Sequence, residues 1–199
     1  MPKLASKAPG QGAKPTSRVK RFTRWVENDR ITYATYFLPF AQAVLASLAQ
    51  QPLVLIMDGS SAGRGCVTLM LSVVYGRRAR PLAWIVVKGA KGHFPAAPHC
   101  ALVAQLQPHL PPDATVIFLG DGEFDGTDLQ ATIQGYGWQY VCRTAGTILI
   151  WCGAARSPFT ALGVQPDEIV VVTDVRVTQA RAGPVLALAV WEPAYPSPL

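Results

Sequence analysis

The chain has 199 residues, half of them apolar and only 15% charged, with a formal net charge of +6. That length supports one domain of ordinary size with a substantial core plus a tail, and the composition excludes a disordered chain. No uninterrupted apolar run approaches the ~20 residues of a membrane helix, and Met1–Lys7 leads into basic and polar residues rather than the apolar core of a signal peptide. Residues 1–30 carry eight basic side chains against Glu27 and Asp29, which accounts for the whole net charge; the other 169 residues balance. A neutral body with a basic arm is a layout of proteins that meet nucleic acid.

In chain order, residues 1–15 are rich in Lys, Pro, Gly and Ala and read as a disordered basic arm. Residues 16–50 read as a helical, basic segment. After a Thr16-Ser17 N-cap, Val19, Phe22 and Val26 recur at helical spacing, as do Arg18, Arg21 and Trp25. A second helix is expected from Thr32 to Ala49, kinked at Pro39, with Tyr36, Phe37, Phe40, Val44, Leu45 and Leu48 as its core residues.

Residues 51–143 carry the main fold. Leu53-Val54-Leu55-Ile56-Met57 is an apolar run too short for a globular helix and reads as a strand buried on both faces, ending in Asp58. Gly59–Gly65 reads as a tight turn, Cys66–Val74 as a strand, Tyr75–Pro81 as another turn and Leu82–Val87 as a third strand. Strands joined by short loops are antiparallel neighbours. A helix over Ala97–Gln107 follows, then Thr115–Leu119 as a strand ending at Gly120-Asp121, a helix over Gly126–Gln134 and a strand over Trp138–Arg143. Residues 144–199 read as a β-rich insertion, with strands at Ile148–Trp151, Ile169–Thr173, Val175–Thr178 and Val185–Trp191.

Three meandering strands, a helix, then strand–helix–strand is the order of an RNase H-like mixed α/β sheet. In that order the first and fourth strands are neighbours, so Asp58 and Asp121 meet at one end of the sheet. Two carboxylates there can share divalent cations, Mg²⁺ or Mn²⁺, for phosphodiester chemistry. Cys66, Cys100, Cys142 and Cys152 are scattered and lack zinc-knuckle spacing, which suits free thiols in a reducing cytosol; the three histidines are not spaced as ligands. Asp121-Gly122-Glu123-Phe124-Asp125-Gly126 matches the start of a calcium loop, but Thr132 stands where a bidentate Glu is needed. Neither Gly63-Arg64-Gly65 nor Lys88–Gly92 has P-loop spacing.

Five stretches together resemble the DDE transposases of bacterial insertion sequences: Ser17–Phe22 with Arg24, Trp25 and Asn28; Met57–Ser60; Tyr75–Trp84; Gly120–Phe124; and Gly137–Val141 with Arg143. They span about residues 16 to 143 in the family's order. The resemblance implies cytoplasmic, nucleoid-associated DNA cleavage and strand transfer, with Asp58 and Asp121 as the first two acids and metal ligands. Lys20, Arg21 and Arg24 would contact DNA, joined by Arg77, Arg78 and Arg80. A homodimer, or association with an intact transposase, is the assembly it admits. Two departures stand out. Gly122 occupies the place after the second acid where many relatives have Arg. The third acid, a Glu on a helix beyond the insertion, has no counterpart, and Glu192 at a strand end is a poor substitute. The sequence therefore reads as an impaired, C-terminally truncated transposase. The alternatives are a non-catalytic DNA-binding remnant that modulates an intact enzyme, or an RNase H-like nuclease.

Overall fold

The computed structural model describes residues 14–89 and 95–195. Residues 1–13 of the arm expected over 1–15, and residues 90–92 of the segment Lys88–Gly92, fall outside them. The chain forms two compact units, Met1–Gln50 and Gln51–Leu199. No helix among the described residues is long and apolar enough to cross a membrane.

The first unit holds α1 (Pro15–Val26) and α2 (Leu38–Leu48), the latter preceded by a π-helical turn, Tyr33–Phe37. Pro15 opens α1 at a position where the missing N–H is not needed. The expected single kinked helix is instead this π turn running into α2, with Pro39 in the first turn of α2, again where its missing donor costs nothing. Thr32 caps the π turn by accepting the Thr35 N–H at 3.2 Å. Ala41, Leu45 and Leu48 are buried, whereas Tyr36 and Phe40, expected in the core, are more than half exposed.

The second unit contains a five-stranded sheet built from β1 (Leu53–Gly63), β2 (Cys66–Tyr75), β3 (Arg78–Lys88), β4 (Val116–Gly120) and β5 (Gln139–Cys142). Its strand order is β3-β2-β1-β4-β5. The first three strands are antiparallel; β1–β4 and β4–β5 are parallel. This is the RNase H-like order expected from the succession of elements. Alternate residues Leu53, Leu55, Met57, Leu69, Leu71, Val116 and Phe118 form the fully buried face. Helix α3 (Ala96–Leu106) packs on β2 and β3 and against α4 (Thr127–Gly135), which lies along β5. Leu102, Val103, Leu106, Leu129 and Ile133 supply the helical side of this core.

Two expected turns are strands. β1 continues through Gly59–Gly63 because Ser60 and Ser61 pair with Thr68 and Val67 of β2; the turn itself is Arg64-Gly65, both at positive φ. β3 begins at Arg78, so Arg78 and Arg80 lie on a strand opposite Tyr75 and Val73. Only Gly76-Arg77 remain as the two-residue turn, with φ of 56° and 62°, the doubly positive φ that matches hairpin twist. In both places cross-strand pairing overrides the local turn signal of small and basic residues.

A separate four-stranded antiparallel sheet, order β7-β6-β8-β9, is formed by β6 (Leu149–Cys152), β7 (Ala155–Pro158), β8 (Ile169–Val177) and β9 (Ala182–Val190). Ile150, Val175 and Ala187 are its core. The two strands expected at Ile169–Thr173 and Val175–Thr178 are one strand, interrupted by a register shift between Val172 and Val175 at which Asp174 adopts φ 56°.

Candidate acidic site at the end of the five-stranded sheet

The β1–β4 ladder pairs Leu53 with Val116 and ends with Ile56 opposite Leu119. Each partner lies 63 positions downstream, the separation of Asp58 and Asp121 as well. Carried two residues beyond the last pair, that register would set Asp58, on β1, level with Asp121, which lies one residue past the end of β4. Adjacent strands run about 4.7–4.9 Å apart. Asp58 continues the alternation of Val54 and Ile56, Asp121 lies in the turn after β4, and both are exposed. Asp58 is not at a strand end, as the sequence suggested; it sits inside β1, where that strand outruns β4 and stays paired with Met70 of β2.

Asp121 is fixed by the turn that follows it. Its Oδ1 accepts the Glu123 N–H at 2.9 Å, and its carbonyl accepts the Phe124 N–H at 3.0 Å. Phe124 is 1% exposed and lies edge-on to His99, ring centroids 5.0 Å apart. A Cβ on Gly120 would come within 2.8 Å of Phe124 Cβ and 3.1 Å of the Phe118 ring. Both neighbours belong to the packed interior. Gly120→Ala should therefore destabilise the fold by about 1–3 kcal/mol through overpacking, measured by urea denaturation.

The other acids nearby have different surroundings. Glu123 places its carboxylate oxygens 3.5 and 3.6 Å from where a Gly59 Cβ would be. Asp125 accepts the Thr144 hydroxyl at 2.5 Å, and its carbonyl accepts from Gln130 Nε2, which holds it as a structural group. A cavity of about 830 Å³ opens beside Asp121 and is also lined by Glu123, Asp125, Arg143, Phe159 and Trp191. Asp58 and Glu192 are not among its lining residues. His99 is buried, and among the described residues its Nε2 has no hydrogen-bond partner. Burial lowers its pKa, opposed by the Glu123 carboxylate. The sequence offered no signal for this histidine beyond its place on α3.

Cys142 ends β5 next to this turn, its thiol 3.5 Å from the Phe124 carbonyl. Burial first, then the Asp125 charge, pushes the thiol up to about 11. Because the folded value is raised, its contribution to stability is complete below the ordinary thiol pKa of about 8.5 and is lost as pH rises toward 11. Cys142→Ala should flatten the decline in stability between pH 9 and 11 relative to the parent chain. Alkylation by iodoacetamide at pH 8 should spare Cys142 while modifying exposed Cys152.

The donor set does not complete a metal site. Among the described residues no group of three or more His, Cys, Asp or Glu side chains is placed to hold a metal ion. Mg²⁺ keeps much of its octahedral shell as water and is often held by one or two carboxylates, so Asp58 and Asp121 are the ligands this chain would offer it.

The predicted cations lie in two places. On α1, Lys20, Arg21 and Arg24 fall within one arc at 100° per residue, opposite Val19, Phe22 and Val26, and all three are exposed. Arg77 is in the β2–β3 turn, and Arg78 and Arg80 are exposed on β3.

No protein-family model matches the sequence, and no curated protein matches it. Among solved structures, the chain is similar to the catalytic domain of the Mos1 mariner transposase at 15% identity and a TM-score of 0.35. That match covers 59% of this chain and 63% of the other, under two thirds of its length.

Proposed function

We propose that the chain is a DNA-binding protein of the DDE-transposase type, with Asp58 and Asp121 as the first two acids of a catalytic set that the described residues leave incomplete. The observation that supports this most is the β1–β4 register, whose constant separation of 63 positions is also that of the two acids. A divalent cation held by a complete acid set would activate the attacking oxygen and stabilise the leaving one. In this chain Asp58 and Asp121 are the residues that would hold such an ion. What the residues present supply is a pair of exposed carboxylates, the Asp121 turn that orients one of them, and the basic face of α1 as a contact for DNA phosphates. The insertion-sequence origin and a homodimeric or mixed assembly belong to the same proposal.

The incomplete donor set favours a second reading, a non-catalytic DNA-binding remnant that competes with an intact transposase for its DNA. One experiment separates the two. Plasmid nicking is followed with Mn²⁺ present, comparing the parent chain with Asp58→Ala and Asp121→Ala. Slow nicking that drops to background in both variants supports the acid pair. Equal nicking in all three chains removes it, and DNA binding without nicking in the parent leaves the remnant.

A further inference from the structure

We propose that the outer face of the four-stranded sheet is a second contact for the DNA backbone, built from Arg156, Arg176 and Arg181 around Trp151. The proposal rests on the DNA-binding reading above and extends it to a surface with no signal in the sequence.

The strand register makes the cluster. Trp151 on β6 is paired with Arg156 on β7 and with Arg176 on β8, so both arginines flank the indole on its own face of the sheet. Arg181, in the turn before β9, closes over the ring with its guanidinium carbon 3.9 Å from the ring centroid; the guanidinium of Arg156 lies at 5.7 Å. The turn is fastened to the tryptophan, whose Nε1 donates to the Thr178 carbonyl at 2.9 Å. Thr178 and Arg181 both adopt positive φ to make it, a conformation that costs a non-glycine residue free energy and persists only where the surrounding contacts fix it. Arg176 Nη1 donates to the carbonyls of Arg181 and Gly183 at 3.3 and 3.2 Å.

Three like charges are thereby gathered on one exposed face, and the partners that orient them are an indole ring and two carbonyls, none carrying a formal charge. The nearest acid in sequence is Asp174, at the register shift of β8. Among the described residues no ion pair joins it to these arginines. Gathering cations costs electrostatic free energy that a polyanion would recover. Guanidinium forks on two strands and an adjoining turn suit successive phosphates better than a single small anion. A backbone contact of this kind is blind to base sequence and sensitive to salt.

The test is fluorescence anisotropy of a labelled duplex with the full chain, titrated between 50 and 200 mM salt. The variants are R156Q/R176Q/R181Q, the triple Lys variant at the same positions, and K20Q/R21Q/R24Q. The sheet Gln variant is expected to bind about tenfold or more weakly, with a log–log salt slope shallower by about 2 to 3. The Lys variant, which keeps the charge, should retain most of the binding. Sheet Gln variants that keep the parent affinity and slope while the α1 variant loses both would overturn this inference alone. Equal loss in the Lys and Gln variants would also overturn it, because the loss would then not be electrostatic. A parent chain that binds no duplex would overturn the DNA reading and this inference together. Should the triple Gln variant fail to fold by circular dichroism, the single variants decide, each expected to lower the slope by about one and overturning the inference if none does.

Discussion

Phe124→Ala should cost about 3–5 kcal/mol of stability, the largest effect expected of any single substitution near the acidic site. The ring is 1% exposed and fills the space between Gly120, His99 and the Phe118 side of the sheet. Truncating it leaves a cavity whose walls, a strand backbone and a packed helix, cannot collapse far. The Phe124 amide also closes the turn that presents Asp121, and its carbonyl receives the Cys142 thiol. Loss of the ring therefore loosens the turn as well as the core. Phe124→Leu, which keeps most of the volume, should cost distinctly less. Urea denaturation of both variants checks the ordering; equal costs would mean that the ring does not anchor the turn. His99 offers a contrast. Its buried Nε2 already lacks a partner among the described residues, so removing that polar atom should cost little beyond the packing it provides.

The five-stranded sheet was legible in the sequence because its central strands are uninterrupted apolar runs, Leu53–Met57 and Val116–Leu119, and buried parallel strands look like that. The common separation of 63 positions then follows from the pairing and needs no further signal. Strand ends were not legible. Gly59–Gly63 and Arg78–Arg80 carry turn-like residues, yet each is carried as strand by its partner, and no local rule sees the partner. The same holds for β7, four residues containing Arg and Pro that exist as a strand only because Gly153-Ala154 turn them back onto β6. The arginine cluster around Trp151 is the extreme case. Its members are spread from position 151 to 181 and share a face only through two registers and one turn. The continuity of β8 through Asp174 was not legible, because an acid between two valine-rich runs looks like a loop. Composition located the basic arm; pairing alone reveals the basic sheet.

K20Q/R21Q/R24Q should weaken DNA binding by an order of magnitude or more at 100 mM salt and flatten the log–log salt slope by about 2 to 3, if each cation meets one phosphate. These three residues occupy one exposed arc of α1, while Val19 and Phe22, on the opposite side, are half-buried. The helix therefore offers its charge outward, and changing that arc to Gln leaves the apolar stripe intact. Gln is also a good helix former, so loss of binding would not reflect loss of the helix. Circular dichroism of the variant checks this directly. The sheet cluster and α1 belong to separate units of the chain, and two surfaces that act independently should contribute additively to the slope. The sixfold variant, combining both triple Gln sets, should then lose about twice the slope of either. A combined loss no larger than one set alone would mean that the two surfaces do not engage the same duplex.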